Sequence, residues 1–489
     1  MADSLIPLKI KRKKQMIKNF FIDKFKQNFS HQLTKGQEEL IQKLTEFILN
    51  KNENIVFLLT GYAGTGKTSL VSAMVNTLKS LEYKTILLAP TGRAAKVFSS
   101  YSQSQSFTIH KKIYRQKSSN DGFGKFALDR NMHKDTLFVV DEASMIANQS
   151  SDLNVFGTGR LLDDLLKYVY DASNSCKLIF IGDTAQLPPV GISISHALDI
   201  KELQAFGLKV NHYQLTDVVR QTEKSGILFN ASYLRYLISN FEEMGKYPKF
   251  KITEFKDVTR ISGDELIDAI SNSYDKIGID NTLIVTRSNQ RANKYNQGIR
   301  NSILWREEEI SEGDLVMIVK NNYFWLKDNK NVDFIANGDT AVIKKIYRYD
   351  DLYEHRFADV KLKFTDYDDL EADVKILLDT LNINSASLDY EDSKKLYHKI
   401  SEDFPEITIK RKMYEKILEN PHFNALQIKF AYAVTCHKSQ GGQWQNVFID
   451  QGYITDEMID VEYLRWLYTA ITRATDKVFF VNFKDDFFE

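Results

Sequence analysis

The sequence predicts an α/β protein in which an open parallel sheet is built twice, with a small antiparallel barrel between parts of the second copy. Three patterns lead there. Short apolar runs alternate with helical spacings over the first two hundred residues, the alternation resumes after residue 280, and a stretch of different character separates its later strands. Runs that are apolar throughout are strands buried on both faces, as parallel sheets require. Strand–helix alternation is the signature of α/β folds.

The elements follow in order. "NIVFLLT" (54–60) reads as a strand and "TSLVSAMVNTLKSL" (68–81) as the helix after it. "TILLA" (85–89), "TLFVV" (136–140) and "KLIFI" (177–181) are further buried strands. "NTLIVT" (281–286) leads into a helix, and "NVFID" (446–450) and "KVFFVNF" (477–483) flank another. Between them, "EGDLVMIVKNNYFW", "VDFIANGDTAVIKKIYRY" and "ADVKLKFTDY" are strands joined by Asn-Gly-Asp and Asp-rich turns, the pattern of an antiparallel barrel. Residues 367–421 are charged and read as a helical arm. The boundaries expected are 1–213 for the first domain, 214–310 with 427–489 for the second, and 311–426 for the inserted barrel and arm.

Composition narrows the class. At 489 residues the chain exceeds one core, and its 43% hydrophobic and 27% charged content are those of a globular protein. Lys+Arg and Asp+Glu are equal at 65 each, so any polyanion must be met by local placement of charge. The two cysteines, Cys176 and Cys436, stand apart and exclude a disulfide framework or a cysteine metal site. They suit a reducing, cytoplasmic compartment. No apolar run nears the ~20 residues of a membrane span. The basic run Lys9 to Lys14 reads as a solvated, mobile terminus.

"GYAGTGKT" (61–68) fits G-x-x-x-x-G-K-[ST], with a strand before it and a helix after it. Gly61, Ala63, Gly64, Thr65 and Gly66 present backbone N–H groups to phosphate oxygens, with Ser69 behind them; Lys67 reaches the β- and γ-phosphates, and the Thr68 hydroxyl meets Mg²⁺. "FVVDEAS" (138–144) ends a strand on Asp141, a second magnesium ligand, and on Glu142, which can polarise water. "IFIGDTAQLPPV" (179–190) places Gln186 where it can sense the γ-phosphate, with Pro188 and Pro189 fixing the exit of the loop. Arg220 and Arg473 are candidates to neutralise the transferring phosphoryl group. The Gln37 amide can read a donor and an acceptor on adenine.

The order of these motifs is more specific than any one of them. "LTKGQ", "GYAGTGKT", "APTGRAAK" (89–96), "TIHK" (108–111), "DEAS", "GDTAQLPPV", "LTDVVRQ", "TCHKSQGGQW" and "YTAITRAT" run as they do in superfamily 1 DNA helicases. The chain resembles the RecD-like and phage Dda-like group (subgroup B) from residue 33 to 480, apart from the arm. The resemblance implies two RecA-like domains, an inserted β-hairpin, and an inserted Src-homology-3-like barrel. It implies ATP and Mg²⁺ as cofactors, with Gln37 on adenine and Gln186, Arg220 and Arg473 on the γ-phosphate. Gly442 lies beside the nucleotide. It implies DNA contacts through Pro90, Thr91, Lys96, Thr108, His110, Thr435, His437, Lys438 and Ser439.

The activity implied is an ATP-dependent helicase that moves 5′-to-3′ on single-stranded DNA in replication, repair or recombination. A translocase that strips proteins and an ATP-switched DNA-binding scaffold are the alternatives. Expected partners are single-stranded DNA, forked duplex and a single-strand-binding or replication protein. The protein is expected to be monomeric, away from membranes, and nucleoid-associated if bacterial. The sequence shows no nuclease domain and no long N-terminal extension, a layout nearer the compact Dda-like type. Within 98–134, Asn120-Asp121-Gly122 signals a hairpin turn, with Phe123 or Phe126 placed to stack on a base pair as a strand-separating pin.

Overall fold

The fold is described from a computed structural model, over residues 5–50, 54–116, 126–148, 157–171, 175–217, 225–243, 247–326, 334–365, 367 and 370–489; side chains before residue 15 and at 410 and 411 are not described. Arg220 and the proposed pin tip, Asn120 to Phe123, lie outside the described residues. The chain forms two compact units, one mainly within 1–223 and one mainly within 224–489.

In the first unit the strands are β1 (Ile55–Gly61), β2 (Thr85–Ala89), β3 (Ser106–Thr108), β4 (Tyr114–Gln116), β5 (Phe126–Leu128), β6 (Leu137–Val140), β7 (Lys177–Gly182) and β8 (Lys209–Leu215). Six of them form one sheet in the order β3-β2-β6-β7-β1-β8, every neighbour parallel. The continuous apolar runs have the reason expected of them. Side chains alternate across the pleat, and both faces are covered: Phe57 and Leu59 enter one core with Leu40, Phe47 and Leu70, while Val56 and Leu58 enter another with Phe138, Leu162 and Phe180.

Residues Leu5–Gln27 form a helix, because Phe21 and Phe25, with Phe29 just beyond, recur every four residues and are buried in the first of those cores. The basic run had masked that stripe.

β4 and β5 pair antiparallel, Arg115 opposite Ala127, and are the two arms of a hairpin. Its root is tied to the core: the Tyr114 hydroxyl donates to Asp164 (2.8 Å), and the Gly157 N–H donates to the Phe126 carbonyl (2.7 Å). Phe126 packs on the core cluster from within an arm. That placement corrects the expectation that it stacks on DNA.

In the second unit the strands are β9 (Val258–Ile261), β10 (Thr282–Thr286), β11 (Leu315–Ile318), β12 (Thr340–Leu352), β13 (His355–Phe364), β14 (Glu371–Leu377), β15 (Leu426–Phe430), β16 (Ala433–Thr435), β17 (Trp444–Asp450) and β18 (Ala474–Val481). A second parallel sheet has the order β16-β10-β17-β18-β9, and β11 to β15 close into a barrel. The two sheets are RecA-like in layout, with the barrel inserted in the second. The start of the expected arm is β14, a barrel strand paired with β13 and β15. Its helices Tyr390–Ser401 and Lys410–Leu418 bring Leu396, Ile400 and Ile417 onto Phe357 and Leu377 of the barrel. Buried Asp314 fixes barrel to sheet: it accepts from Arg300 (3.1 Å), Arg306 (2.7 Å) and the Tyr432 hydroxyl (2.9 Å). Among the described residues no helix is long and apolar enough to cross a membrane.

Candidate nucleotide and nucleic-acid sites

Strands β6, β7 and β1 are adjacent, and their carboxyl ends carry the three phosphate motifs. Parallel α/β sheets place ligands at such ends. The turn after β1 runs through Gly64 (φ +78°) and Gly66 (φ +81°), conformations that suit glycine, into the helix Lys67–Ser80. Gly61 is held to its size: a Cβ there would lie 3.0 Å from Leu215 Cβ and 3.1 Å from Lys67 Cδ.

Lys67, Thr68, Asp141, Glu142 and Gln186 line one cavity with Tyr101, Gly182 and Asp183. Lys67 Nζ donates to the carbonyls of Gly61 (2.6 Å) and Tyr62 (2.8 Å) and lies 4.0 Å from Asp183. Phosphate oxygens would take the place of those carbonyls. Glu142 has φ +52°, a strained value for a side chain with a Cβ, and its N–H donates to Asp141 Oδ1 (2.8 Å). The Tyr101 hydroxyl donates to Asp141 Oδ2 (2.5 Å). Burial raises the Asp141 carboxyl above the usual range, opposed by the Tyr101 and Glu142 donors and by Lys67. Burial, and then Asp141, hold the Tyr101 phenol well above its ordinary value.

This donor set fits Mg²⁺. Thr68 and Asp141 are hard oxygen ligands, and among the described residues no group of three or more His, Cys, Asp or Glu could hold a metal alone. Magnesium bound through one or two protein oxygens, with phosphates and waters, needs no such group. Gln186 Oε1 is buried in the same lining with no hydrogen-bond partner among the described residues. An acceptor left so costs about 1–3 kcal/mol unless something donates to it, and a water against the γ-phosphate would.

Two of the candidate residues are held by contacts within the protein. Gln37 is 1% exposed. Its Oε1 accepts from the Thr34 N–H (3.1 Å) in a capping box, and its Nε2 donates to the Thr65 carbonyl (3.1 Å). Through that bond it braces the phosphate loop. Ser439 is fully buried and its hydroxyl donates to the Cys436 carbonyl (2.7 Å), so it closes its own turn. Asp183 and Tyr101 were not singled out from sequence; Asp183 at least stood in view, at a strand end three residues before Gln186.

The remaining residues divide by element. Pro90 and Thr91 follow β2, and Lys96 lies in the helix Gly92–Ser102 that comes next. Thr108 caps the short helix Ile109–Ile113 by accepting from the Lys111 N–H (3.2 Å). Burial lowers the His110 imidazole to about 4, so at neutral pH it is an uncharged donor. In the second unit, Thr435 and Lys438 share a groove with Asn289, Asn293 and Lys429, and His437 is half-buried in the same turn. Burial lowers Lys438 to about 8, and burial with the Lys438 charge brings Lys429 to about 8. The Cys436 thiol is buried and pushed up, an inert packing residue. Arg473 is 4% exposed; its guanidinium donates to the carbonyls of Thr469 (3.1 Å) and Gly442 (3.2 Å).

Fold and cavity together define a P-loop nucleoside triphosphatase with a second RecA-like sheet. Residues 32–234 match the AAA domain family, and residues 430–481 match the UvrD-like helicase C-terminal domain. The chain is 28% identical to the ATP-dependent RecD2 DNA helicase of Deinococcus radiodurans, over 35% of this chain and 20% of that protein. It is 25% identical to the ATP-dependent DNA helicase dda of Enterobacteria phage T4, over 58% of this chain and 61% of that protein. It also spans 38% of the length of the uncharacterized protein MJ1519 of Methanocaldococcus jannaschii, at 24% identity over 91% of this chain. A solved Bacteroides Pif1 helicase, in complex with ADP-AlF3 and ssDNA, superposes with a TM-score of 0.47 at 15% identity, covering 94% of this chain and 95% of that one. The two family matches and these relatives together support a superfamily 1 helicase of the RecD-like and Dda-like group.

Proposed function

We propose that this protein is an ATP-driven motor that moves 5′-to-3′ along single-stranded DNA and separates duplex. The observation that carries the reading is the convergence of Lys67, Thr68, Asp141, Glu142 and Gln186 on one cavity at the carboxyl ends of β1, β6 and β7. Relatives of this group include proteins named as ATP-dependent DNA helicases.

In this reading the loop 61–66 and Lys67 hold the triphosphate, and Thr68 and Asp141 hold Mg²⁺, which when bound neutralises developing phosphoryl charge. Glu142 takes a proton from the attacking water while Gln186 Oε1 accepts its other hydrogen bond. Arg473 and Arg220 supply positive charge to the γ-phosphate. Thr91, Lys96 and Thr108 grip one stretch of strand, and Thr435, His437 and Lys438 grip another. Alternate closure and opening around ATP would move the two grips past each other. The hairpin of β4 and β5, rooted through Tyr114, would stand at the fork. Steady-state ATP hydrolysis with and without oligothymidylate tests the motor. The expected result is a turnover that rises when the strand is present, as closure completes the catalytic site. A rate that is negligible in both conditions would favour the ATP-switched scaffold.

Lys438 gives this reading a pH dependence. With its free-protein value near 8, it loses its charge as pH rises from 7 to 9, and a phosphate contact needs the charged form. Single-strand affinity is therefore expected to fall across that window, and the fall to be smaller in Lys438→Ala. Each lost contact also reduces the slope of log affinity against log salt by about 0.7. Equal pH and salt profiles for the two proteins would place Lys438 away from the strand.

A further inference from the structure

Tyr101 sits at an intersection that nothing above uses. It is the penultimate residue of the helix Gly92–Ser102. Its hydroxyl donates to Asp141 Oδ2 (2.5 Å), and its backbone carbonyl accepts from Ser72 Oγ (2.7 Å) on the phosphate-loop helix. Its ring stacks on buried Phe98, with centroids 5.2 Å apart. The last turn is drawn tight by Ser102 Oγ, which donates to the Phe98 carbonyl (2.5 Å). The residue is thus held from three sides, and its one polar side-chain atom is spent on a carboxylate that the proposed mechanism needs.

The middle of the same helix carries a proposed DNA contact. Lys96 lies five residues before Tyr101, about 7.5 Å along the axis at 1.5 Å per residue. A helix held by its own hydrogen bonds moves as a rod. A shift of the helix backbone when Lys96 grips a phosphate would be carried to the Tyr101 hydroxyl. That hydroxyl orients one Asp141 oxygen while the Glu142 N–H orients the other.

We infer that Tyr101 is a positioning residue that transmits the state of the DNA-contacting helix to Asp141, and so couples strand binding to the nucleotide site. The inference rests on the motor reading above. Coupling of this kind is a free energy shared by two ligands, so it is visible in binding without turnover: if DNA improves nucleotide affinity by some factor, nucleotide changes DNA affinity by the same factor.

The test measures the affinity of a fluorescent oligothymidylate by anisotropy, with and without Mg²⁺ and the non-hydrolysable ATP analogue AMP-PNP. In the wild type the analogue is expected to change the dissociation constant by about fivefold or more. Tyr101→Phe keeps the ring and its stack on Phe98 but loses the hydroxyl. It is expected to bring that factor to within about twofold of one, a loss of most of the coupling. An unchanged factor in a folded Tyr101→Phe protein overturns the inference. Should that variant not fold, Ser72→Ala decides: it frees the Tyr101 carbonyl, and the coupling factor must fall for the inference to stand. A wild type with neither coupling nor DNA-stimulated hydrolysis would instead overturn the motor reading itself.

Discussion

Lys67→Ala and Glu142→Gln are each expected to reduce ATP turnover by at least about 10²–10⁴-fold, the range in which removal of a positioned charge or general base acts. They fail for different reasons. Lys67 is the cation of the loop, 4.0 Å from Asp183, and in the proposed mechanism it holds the triphosphate. Its loss should also weaken nucleotide binding. Glu142→Gln keeps size and polarity at a strained position, φ +52°, and removes only the ability to accept a proton. That variant should bind ATP as the wild type does and trap it. Equilibrium binding of a fluorescent ATP analogue, read beside steady-state turnover, separates the two. Vigorous multiple turnover by Glu142→Gln would show that another group activates the water.

Arg473→Ala is expected to lower turnover by about 10³-fold or more, the scale of an arginine that meets transferring phosphoryl charge. The residue also has a local duty, since its guanidinium donates to the Thr469 and Gly442 carbonyls. Leaving buried carbonyls unpaired costs roughly 1–3 kcal/mol. Thermal melting therefore accompanies the kinetics, and Arg473→Lys serves as the partner variant: it retains charge while losing the fork of donors. A melting temperature that drops while turnover per folded molecule is unchanged would make Arg473 a brace of the Gly442 turn alone.

What the sequence disclosed follows a physical rule. The phosphate loop, Asp141-Glu142 and Gln186 were legible because each motif is contiguous and ends a strand whose apolar run is plain. Parallel pairing of β6, β7 and β1 then brings those ends together without further instruction. Tyr101 was not legible, because its meaning comes from a hydrogen bond across 40 residues to Asp141, and a tyrosine on a helix resembles any other. The second duty of Gln37 was hidden for a related reason: a capping box and a brace on the phosphate loop show only through its bonds to Thr34 and to the Thr65 carbonyl at 3.1 Å. In β14, "EADVKIL", alternating acidic residues hid a barrel strand whose pairing with β13 and β15 is settled by tertiary contact. The stripe of Phe21, Phe25 and Phe29 was hidden by the basic residues around it.

The central claim is directional movement on DNA, and strand separation from tailed duplexes tests it most directly. Two substrates share one duplex and differ only in whether the single-stranded tail is 5′ or 3′; each is mixed with the protein, and ATP with Mg²⁺ starts the reaction. The account predicts separation of the 5′-tailed duplex, dependent on hydrolysis and lost in Glu142→Gln, with little from the 3′-tailed one. Efficient separation from the 3′ tail alone would contradict the proposed direction, and DNA-stimulated hydrolysis with no separation of either would leave a translocase in place of a helicase.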